Sequence, residues 1–437
     1  MQFDEAVAYL LSLGHETLAI KLGLKNSRLL LQSLNHPERA FPSVQIAGTN
    51  GKGSTAVFLD SICRAAKIKT GLYTSPHLNS ITERIKVDGV EISQEAFALH
   101  ATAVRSAAEK LIDDGELDSP PTFFEQVTAI ALAAFREDGC ELAILETGLG
   151  GRLDSTTAAD AEVCAITPIA FDHEEYLGDT IESIAAEKAA IVRSGMQVVV
   201  APQAPEAMEV ILKRCEEVRI KPQRVEPLSK VINSSSDGRF EVSFETGTTQ
   251  YHSVLLGLRG KHQIENAATA VHLIDALRTR GFEISDQAVI EGLEKAVHPG
   301  RLELLGNSPA FLLDGAHNPA GARALRDFLD QFGKRPLTIV FGAMRDKNIE
   351  EIGRLLFPLS DQLIVTNVAS PRAASLSELL ATAQKFATGA SNTAETSNDA
   401  LELAVNNTAT TGMICVTGSL YLIGEVRQLI ADRLASK

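Results

Sequence analysis

The chain has 437 residues, 56 acidic side chains against 41 basic ones, a formal charge of −15 and only 5% aromatics with no Trp. That balance argues against nonspecific binding to nucleic acid or to an anionic membrane, because both need positive surface. No apolar run approaches the roughly 18 residues that span a bilayer, and the length suits two or three domains rather than one core.

The start, Met1-Gln-Phe-Asp-Glu5, carries neither the basic flank nor the apolar core of a secretion signal. Cys63, Cys140, Cys164, Cys215 and Cys415 are scattered, odd in number and without metal-type spacing, so they read as reduced core residues. The expectation is a cytoplasmic protein.

The first informative element is Val44-Gln-Ile-Ala-Gly-Thr-Asn-Gly-Lys-Gly-Ser-Thr55, where a short apolar strand breaks into a glycine-rich turn and then a helix. Such a turn cradles phosphate. Gly48, Gly51 and Gly53 let the backbone approach an anion, the helix starting near Ser54 aims unpaired N–H groups and its positive dipole end at it, and Lys52 adds a point charge. Thr49 and Asn50 complete the turn. The general phosphate loop places Ser or Thr directly after the lysine, whereas Gly53 intervenes here.

Residues 43–47, 69–73, 141–145, 163–167 and 197–201 are short and largely apolar, as expected of strands buried on both faces of a mostly parallel sheet. Phe58, Leu59, Ile62, Cys63 and Ala66 form a helical stripe between the first two. Glu146 ends one apolar run, so its carboxylate emerges at a strand tip beside the loop, where either a magnesium ligand or a helix cap is wanted. Ser54 reads as a metal or phosphate contact, or as a helix cap. His173 follows another strand; nitrogen is an unusual magnesium ligand, and a surface histidine is the plainer reading.

Lys188 is the local anomaly. Positions 181, 184, 185, 188, 191 and 192 share one helical stripe, apolar except for that lysine. Either its stem snorkels to water or burial lowers its pKa and the neutral amine is used chemically.

Around residues 231–256 the texture changes to alternating runs flanking Asp237-Gly238, which predicts a small antiparallel insertion. The Pro/Gly punctuation at His298-Pro-Gly-Arg301 predicts a hinge, dividing domains 1–297 and 298–437. Beyond it, residues 311–313, 337–341, 362–366 and 413–417 read as buried strands and Leu325, Phe328, Leu329 and Phe332 as a helical stripe. Residues 389–398, polar and small, read as a surface loop. Asp314 terminates a strand, and Asn318-Pro319 is a good cap and first turn for the next helix, leaving His317 in a strand-to-helix crevice.

Gly48-Thr-Asn-Gly-Lys-Gly-Ser54 resembles the loop of the ATP-dependent amide ligases that include folylpolyglutamate synthase, dihydrofolate synthase and the Mur ligases. The resemblance continues through Thr74-Ser-Pro-His-Leu78, Thr122-Phe-Phe-Glu125, Glu146-Thr-Gly-Leu-Gly-Gly-Arg-Leu-Asp154, Phe171-Asp-His173, Ala186-Glu-Lys-Ala189, His262-Gln-Ile-Glu-Asn266, Pro299-Gly-Arg-Leu-Glu303 and Asp314-Gly-Ala-His-Asn-Pro319. It spans most of the chain and is similar to the folate branch.

It implies an α/β architecture: an N-terminal P-loop ATPase domain with a mostly parallel sheet and a small antiparallel insertion, and a smaller Rossmann-like C-terminal domain. It also implies ATP and Mg2+, with Ser54, Ser75, Glu146 and His173 around metal, Lys188 carbamylated, Asn266 on adenine, Arg301 on phosphates, Asp314 on ribose and His317 near the reacting groups. Thr122, Phe123, Phe124, Glu125, Leu153, Asp154 and Ser155 resemble the segments that hold the pterin, although the two phenylalanines can equally be helix core. Arg152 either orients acidic substrate or pairs with Asp154, and Leu22-Gly23 is a candidate for the far side of that pocket.

The implied reaction adds L-glutamate to dihydropteroate, to folates or to both through an acyl phosphate, in a monomer. A Mur-type ligase would need a further domain ahead of the loop, where only 47 residues stand. A nucleotide switch would leave Lys188 and His173 unexplained. Another peptide ligase would share the reacting centre.

Overall fold

The computed structural model describes residues 1–14, 23–226, 230–247 and 249–435; Leu22 therefore lies outside the described residues. The larger sheet contains β1 (Ser43–Ala47), β2 (Thr70–Tyr73), β3 (Ile85–Val87), β4 (Val90–Glu91), β5 (Leu142–Glu146), β6 (Val163–Ile166), β7 (Gln197–Val200) and β8 (Gln223–Arg224). Their order is β4-β3-β2-β5-β1-β6-β7-β8. β2, β5, β1, β6, β7 and β8 run parallel, and β3 and β4 add an antiparallel edge.

Every residue of β1, β5 and β6 is buried, which is why those runs are largely apolar, and the exception inside β1, Gln45, donates to the Thr156 and Thr157 hydroxyls. Val44, Ile46, Leu142 and Ile144 pack with helices Lys52–Ala65 and His262–Thr279 on one face. Ala143 and Leu145 pack with helices Gln94–Asp113 and Phe123–Glu137 on the other. The chain leaves β1 for β2 on one side and later returns to β6 on the other, so the crevice at the carboxyl end of β1 is a topological switch point, where open α/β sheets bind ligands.

The insertion forms as its alternation predicts: β9 (Lys230–Ser234), β10 (Arg239–Glu245) and β11 (Gln250–Arg259) pair antiparallel. Phe240, Val242 and Phe244 face the core while Glu241 and Ser243 are only partly buried.

The second sheet holds β12 (Glu303–Leu305), β13 (Ala310–Asp314), β14 (Leu337–Phe341), β15 (Gln362–Thr366), β16 (Ala390–Ala394) and β17 (Met413–Thr417) in the order β12-β13-β17-β14-β15-β16. All are parallel except the edge strand β12. The stretch read as a surface loop, 389–398, is corrected by β16, which pairs with β15 in parallel, and by the helix Ser397–Asn407 that follows. An edge strand meets one neighbour and here leaves four of its five residues exposed or partly exposed, so Ala390–Ala394 carries none of the apolar signature of its buried companions.

The hairpin insertion also reaches the second sheet's helix Pro319–Phe332. Phe240 meets Phe332 edge-on with ring centroids 6.0 Å apart, a pairing that contributes about 1 kcal/mol beyond its area. At the hairpin turn Gly238 (φ +83°) lies so close to the Phe328 ring that a Cβ would overlap it.

Candidate active site

The carboxyl ends of both sheets open into one cavity of about 860 Å³. Residues following β1, β5 and β6 line one wall, and residues following β13, β14 and β17 line the other. Of the residues implied as site residues, Gly48, Phe123 and Gly23 do not line this cavity: Phe123 belongs to the core at 4% exposure, and Gly23 does not close the far side of the pocket; the other described ones do line it.

The glycine turn is built as its spacing predicts. Gly48 (φ +150°) leaves no room for a Cβ beside Thr167, Gly51 (φ +87°) none beside the Asn266 amide, and a Cβ on Gly53 would stand 2.9 Å from the His298 ring and 3.2 Å from Glu146 Oε2. The helix begins at Lys52, two residues before Ser54. Thr49 and Asn50 donate their N–H groups to the Pro168 carbonyl at 3.0 and 3.1 Å, tying the loop to the end of β6. The Ser54 hydroxyl accepts from Gln263 Nε2 and meets His298 Nδ1, both at 3.3 Å.

Two lysines converge on one carbonyl. Lys52 Nζ donates to Gly48 O at 3.1 Å and Thr49 O at 3.2 Å, and Lys188 Nζ donates to Gly48 O at 2.8 Å. Lys188 does not snorkel: it is 5% exposed. Burial, and then the charge of Lys52, push its ammonium down from 10.5 to about 7. Its helix stops at Ala189, so Ile191 and Val192 extend the buried stripe from beyond the helix end.

Glu146 is 5% exposed and accepts from the Ser75 backbone N–H at 3.1 Å. Burial raises its carboxyl above the usual range, opposed chiefly by Lys52. His173 caps a short helix in the left-handed conformation, and burial lowers its imidazole to about 4, so it stands neutral at pH 7. Among the described residues no three His, Cys, Asp or Glu side chains come together as a metal cluster.

Several predicted residues are held by their own backbone. Asp314 accepts from Leu302 N at 2.9 Å and Ala316 N at 3.1 Å, and Asp154 from Gly148 N at 2.8 Å and Leu149 N at 3.0 Å. Thr122 and Glu125 form a reciprocal cap for helix Phe123–Glu137. Phe124 lies under Gly148 at the cavity wall, whereas Phe123 packs beneath Arg84, 5.4 Å from its ring centre. Ser155 bonds Thr128 at 2.7 Å, and Leu153 lines the wall beside it. Arg152 pairs with Glu187 at 3.0 Å, not with Asp154.

The opposite wall brings Arg301, whose Nη1 lies 3.5 Å from Gly315 O, and His317, whose Nδ1 donates to Gly315 O at 2.7 Å. Asn266 Nδ2 donates to Gln263 Oε1 at 2.9 Å, at the edge of the glycine turn.

Sequence reasoning missed Lys347 and passed over Asp172. Lys347 Nζ lies 2.7 Å from Asp172 Oδ1, with both side chains 9% exposed. Asp172 stood inside the Phe171-Asp-His173 motif, and Lys347 follows the buried strand β14 by six residues in Met344-Arg-Asp-Lys347, a polar cluster at a strand's carboxyl end.

A glycine turn and lysine at one sheet, facing cationic and imidazole side chains from a second sheet across a shared cleft, define a two-domain P-loop enzyme. The Mur ligase middle domain model matches residues 46–274, and the Mur ligase glutamate ligase domain model matches residues 300–420. The chain is 34% identical over 419 residues to the dihydrofolate synthase/folylpolyglutamate synthase of Bacillus subtilis, covering 95% of this chain and 96% of that one. It superposes on Mycobacterium tuberculosis folylpolyglutamate synthase complexed with ADP (TM-score 0.89, 33% identity, 97% and 99% coverage). An Escherichia coli FolC structure in complex with DHPP and ADP gives a TM-score of 0.87 at 31% identity, with 99% and 98% coverage. The chain belongs to the Mur ligase family, in its folylpolyglutamate synthase/dihydrofolate synthase branch, and is an ATP-dependent ligase. None of its described helices is long and apolar enough to cross a membrane.

Proposed function

We propose that this enzyme adds L-glutamate to dihydropteroate and to the tails of reduced folates, a bifunctional reading supported by the double name of its Bacillus relative. The observation that carries it is the single cavity into which Lys52, Glu146, Lys188, Arg301 and His317 all open. The substrate carboxylate attacks the terminal phosphorus of ATP, ADP leaves, and an acyl phosphate forms. The glutamate amine then attacks the acyl carbon, phosphate departs and the amine gives up a proton.

In this reading the amides of residues 51–54 and Lys52 hold the triphosphate, with Gly48, Thr49 and Asn50 shaping the turn, Asn266 and Asp314 hold adenine and ribose, Arg301 spreads the transferred phosphoryl charge, and His317 stands by the reacting groups. Lys52 must leave the carbonyls of its own loop to do so. Phe124, Leu153 and Ser155 border the pterin end, with Thr122, Glu125 and Asp154 shaping that border through their own backbone bonds and Phe123 supporting it from the core. Approach of the two domains excludes water from the acyl phosphate.

The donors fit magnesium. It binds through one or two carboxylates plus substrate phosphates and water rather than in an all-protein cage. The buried Glu146 and the Ser54 and Ser75 hydroxyls supply oxygen beside the loop, and the neutral His173 has a free electron pair for a second ion. When bound, magnesium screens the negative charge of the triphosphate.

Lys188, with an amine that loses its proton near neutrality, is suited to carbamylation: its nitrogen bonds the carbon of CO2 and a proton leaves. The domain reading is 1–297 and 298–437, supported by helix Asp286–Lys295, whose Gly292 packs against Ile62 of the phosphate-loop helix. One chain supplies both walls, consistent with a monomer, and five free, buried cysteines suit a reducing cytoplasm.

The test is ADP release by purified protein. Release should require glutamate together with dihydropteroate, and separately glutamate with tetrahydrofolate. Turnover with one pterin substrate alone would reduce the reading to a single activity, and turnover with neither would refute it.

A further inference from the structure

We propose that Asp172 is a positioning residue, a carboxylate on the ATP-binding domain that clamps the second domain over the phosphate loop. Three side chains of the second domain converge on it. Lys347 Nζ lies 2.7 Å from Oδ1, Asn318 Nδ2 donates to Oδ2 at 3.2 Å, and His317 Nε2 stands 3.4 Å from Oδ2. On its own side the His173 backbone N–H donates to Oδ1 at 3.0 Å, so both carboxylate oxygens are engaged.

The clamp extends one link further. Asn318 also donates to Asn50 Oδ1, in the phosphate loop, at 3.0 Å. Its own carbonyl oxygen Oδ1 caps helix Pro319–Phe332 through the Gly321 N–H at 2.8 Å. The amino end of that helix is thus tied by polar contacts to Asp172 and Asn50, and its carboxyl end is wedged by Phe328 and Phe332 against the hairpin residues Gly238 and Phe240. Behind Lys347, Asp346 pairs with Arg372 at 2.8 Å, which anchors the loop after β14 that delivers the lysine.

Asp172 and Lys347 are each 9% exposed. Separating the domains without rehydrating both would leave uncompensated buried charges, so the contact makes and breaks as a unit. Its geometric effect is to fix His317, Asn318 and Lys347 relative to the glycine turn. Positioning of this kind governs the chemical step more than binding alone, because reacting atoms misplaced by about 1 Å can lose on the order of 100-fold in rate.

The clamp rests on the ligase reading only for its kinetic consequence, and the experiment separates the two. Small-angle X-ray scattering of the full chain without ligands would compare the wild type with Asp172→Asn, Lys347→Met and Asn318→Ser, the last keeping a helix-capping oxygen while losing the amide donor. The expected result is a larger radius of gyration for Asp172→Asn and Lys347→Met, a smaller increase for Asn318→Ser, and no further opening in the Asp172→Asn/Lys347→Met double variant. In steady-state ligation, Asp172→Asn should lower kcat at least about tenfold with a smaller change in the ATP KM.

Scattering curves that superimpose on the wild type in the variants that fold would overturn the clamp, as would additive opening in the double variant. A compact Asp172→Asn with lost turnover would assign the residue to chemistry instead, and an open one with undiminished kcat would remove its positioning role. Should the wild type ligate neither pterin substrate, scattering alone still decides whether the clamp exists.

Discussion

The amino-terminal wall of the cavity meets an anion with backbone, in the amides of residues 51–54 at the helix start, while the turn before them is held by Pro168 and by the packing of Gly48 and Gly51. The carboxyl-terminal wall meets it with the tips of side chains, Arg301 and His317, beside Lys347, which Asp172 engages. Backbone donors are in place before ligand arrives, whereas long side chains reach the same point only when the second domain is docked. The first wall is therefore expected to set whether nucleotide binds and the second whether it reacts.

The sharpest way to break that contrast is Lys52→Ala. Lys52 lies on the first wall and is the long cation within the glycine turn itself, so its loss should cost about 10³-fold in kcat/KM, with a weaker ATP affinity visible by calorimetry. Arg301→Ala should cost about 10²-fold, expressed in kcat, with ADP affinity changed much less. Equal losses of nucleotide affinity in the two variants would erase the distinction between the walls.

A third variant probes how the second wall is held. Gly238→Ala puts a methyl group into the Phe328 ring from a backbone at φ +83°, and should cost about 1–3 kcal/mol in chemical denaturation. Its effect on turnover should exceed its effect on nucleotide binding, because the helix it disturbs carries Asn318 at its other end.

The smallest effect concerns Lys188. The folded protein releases that proton near pH 7, whereas an unfolded lysine keeps it to about 10.5. Between those values unfolding takes up a proton, so stability rises with pH, and below pH 7 the burial penalty is fully present. Thermal melts in bicarbonate-free buffer should show the wild type gaining on Lys188→Met from pH 7 to 9. Adding carbon-13 bicarbonate should produce a carbamate resonance in the wild type that Lys188→Met lacks.

The same contrast explains what was legible in the sequence. The first wall is local, and a glycine turn between a buried strand and a helix reveals itself in twelve consecutive residues. Strands β1, β14, β15 and β17 were readable because burial on both faces excludes charged residues and leaves short, largely apolar runs. β16 was not, because an exposed edge strand places no such demand on Ala390–Ala394. Lys188 announced itself as a charge on an apolar stripe.

The Asp172–Lys347 contact spans 175 positions and has no periodicity to betray it. Asp314 and Asp154 were found for the motifs they sit in, but pattern alone could not tell that backbone N–H groups already engage their carboxylates.

All five thiols are buried, and burial pushes Cys140 up to about 12 and Cys215 to about 11. An electrophilic dye added near neutrality therefore finds almost no thiolate on the native protein. One cysteine engineered on each domain would be labelled against a silent background, making this chain a convenient host for distance measurements on single molecules.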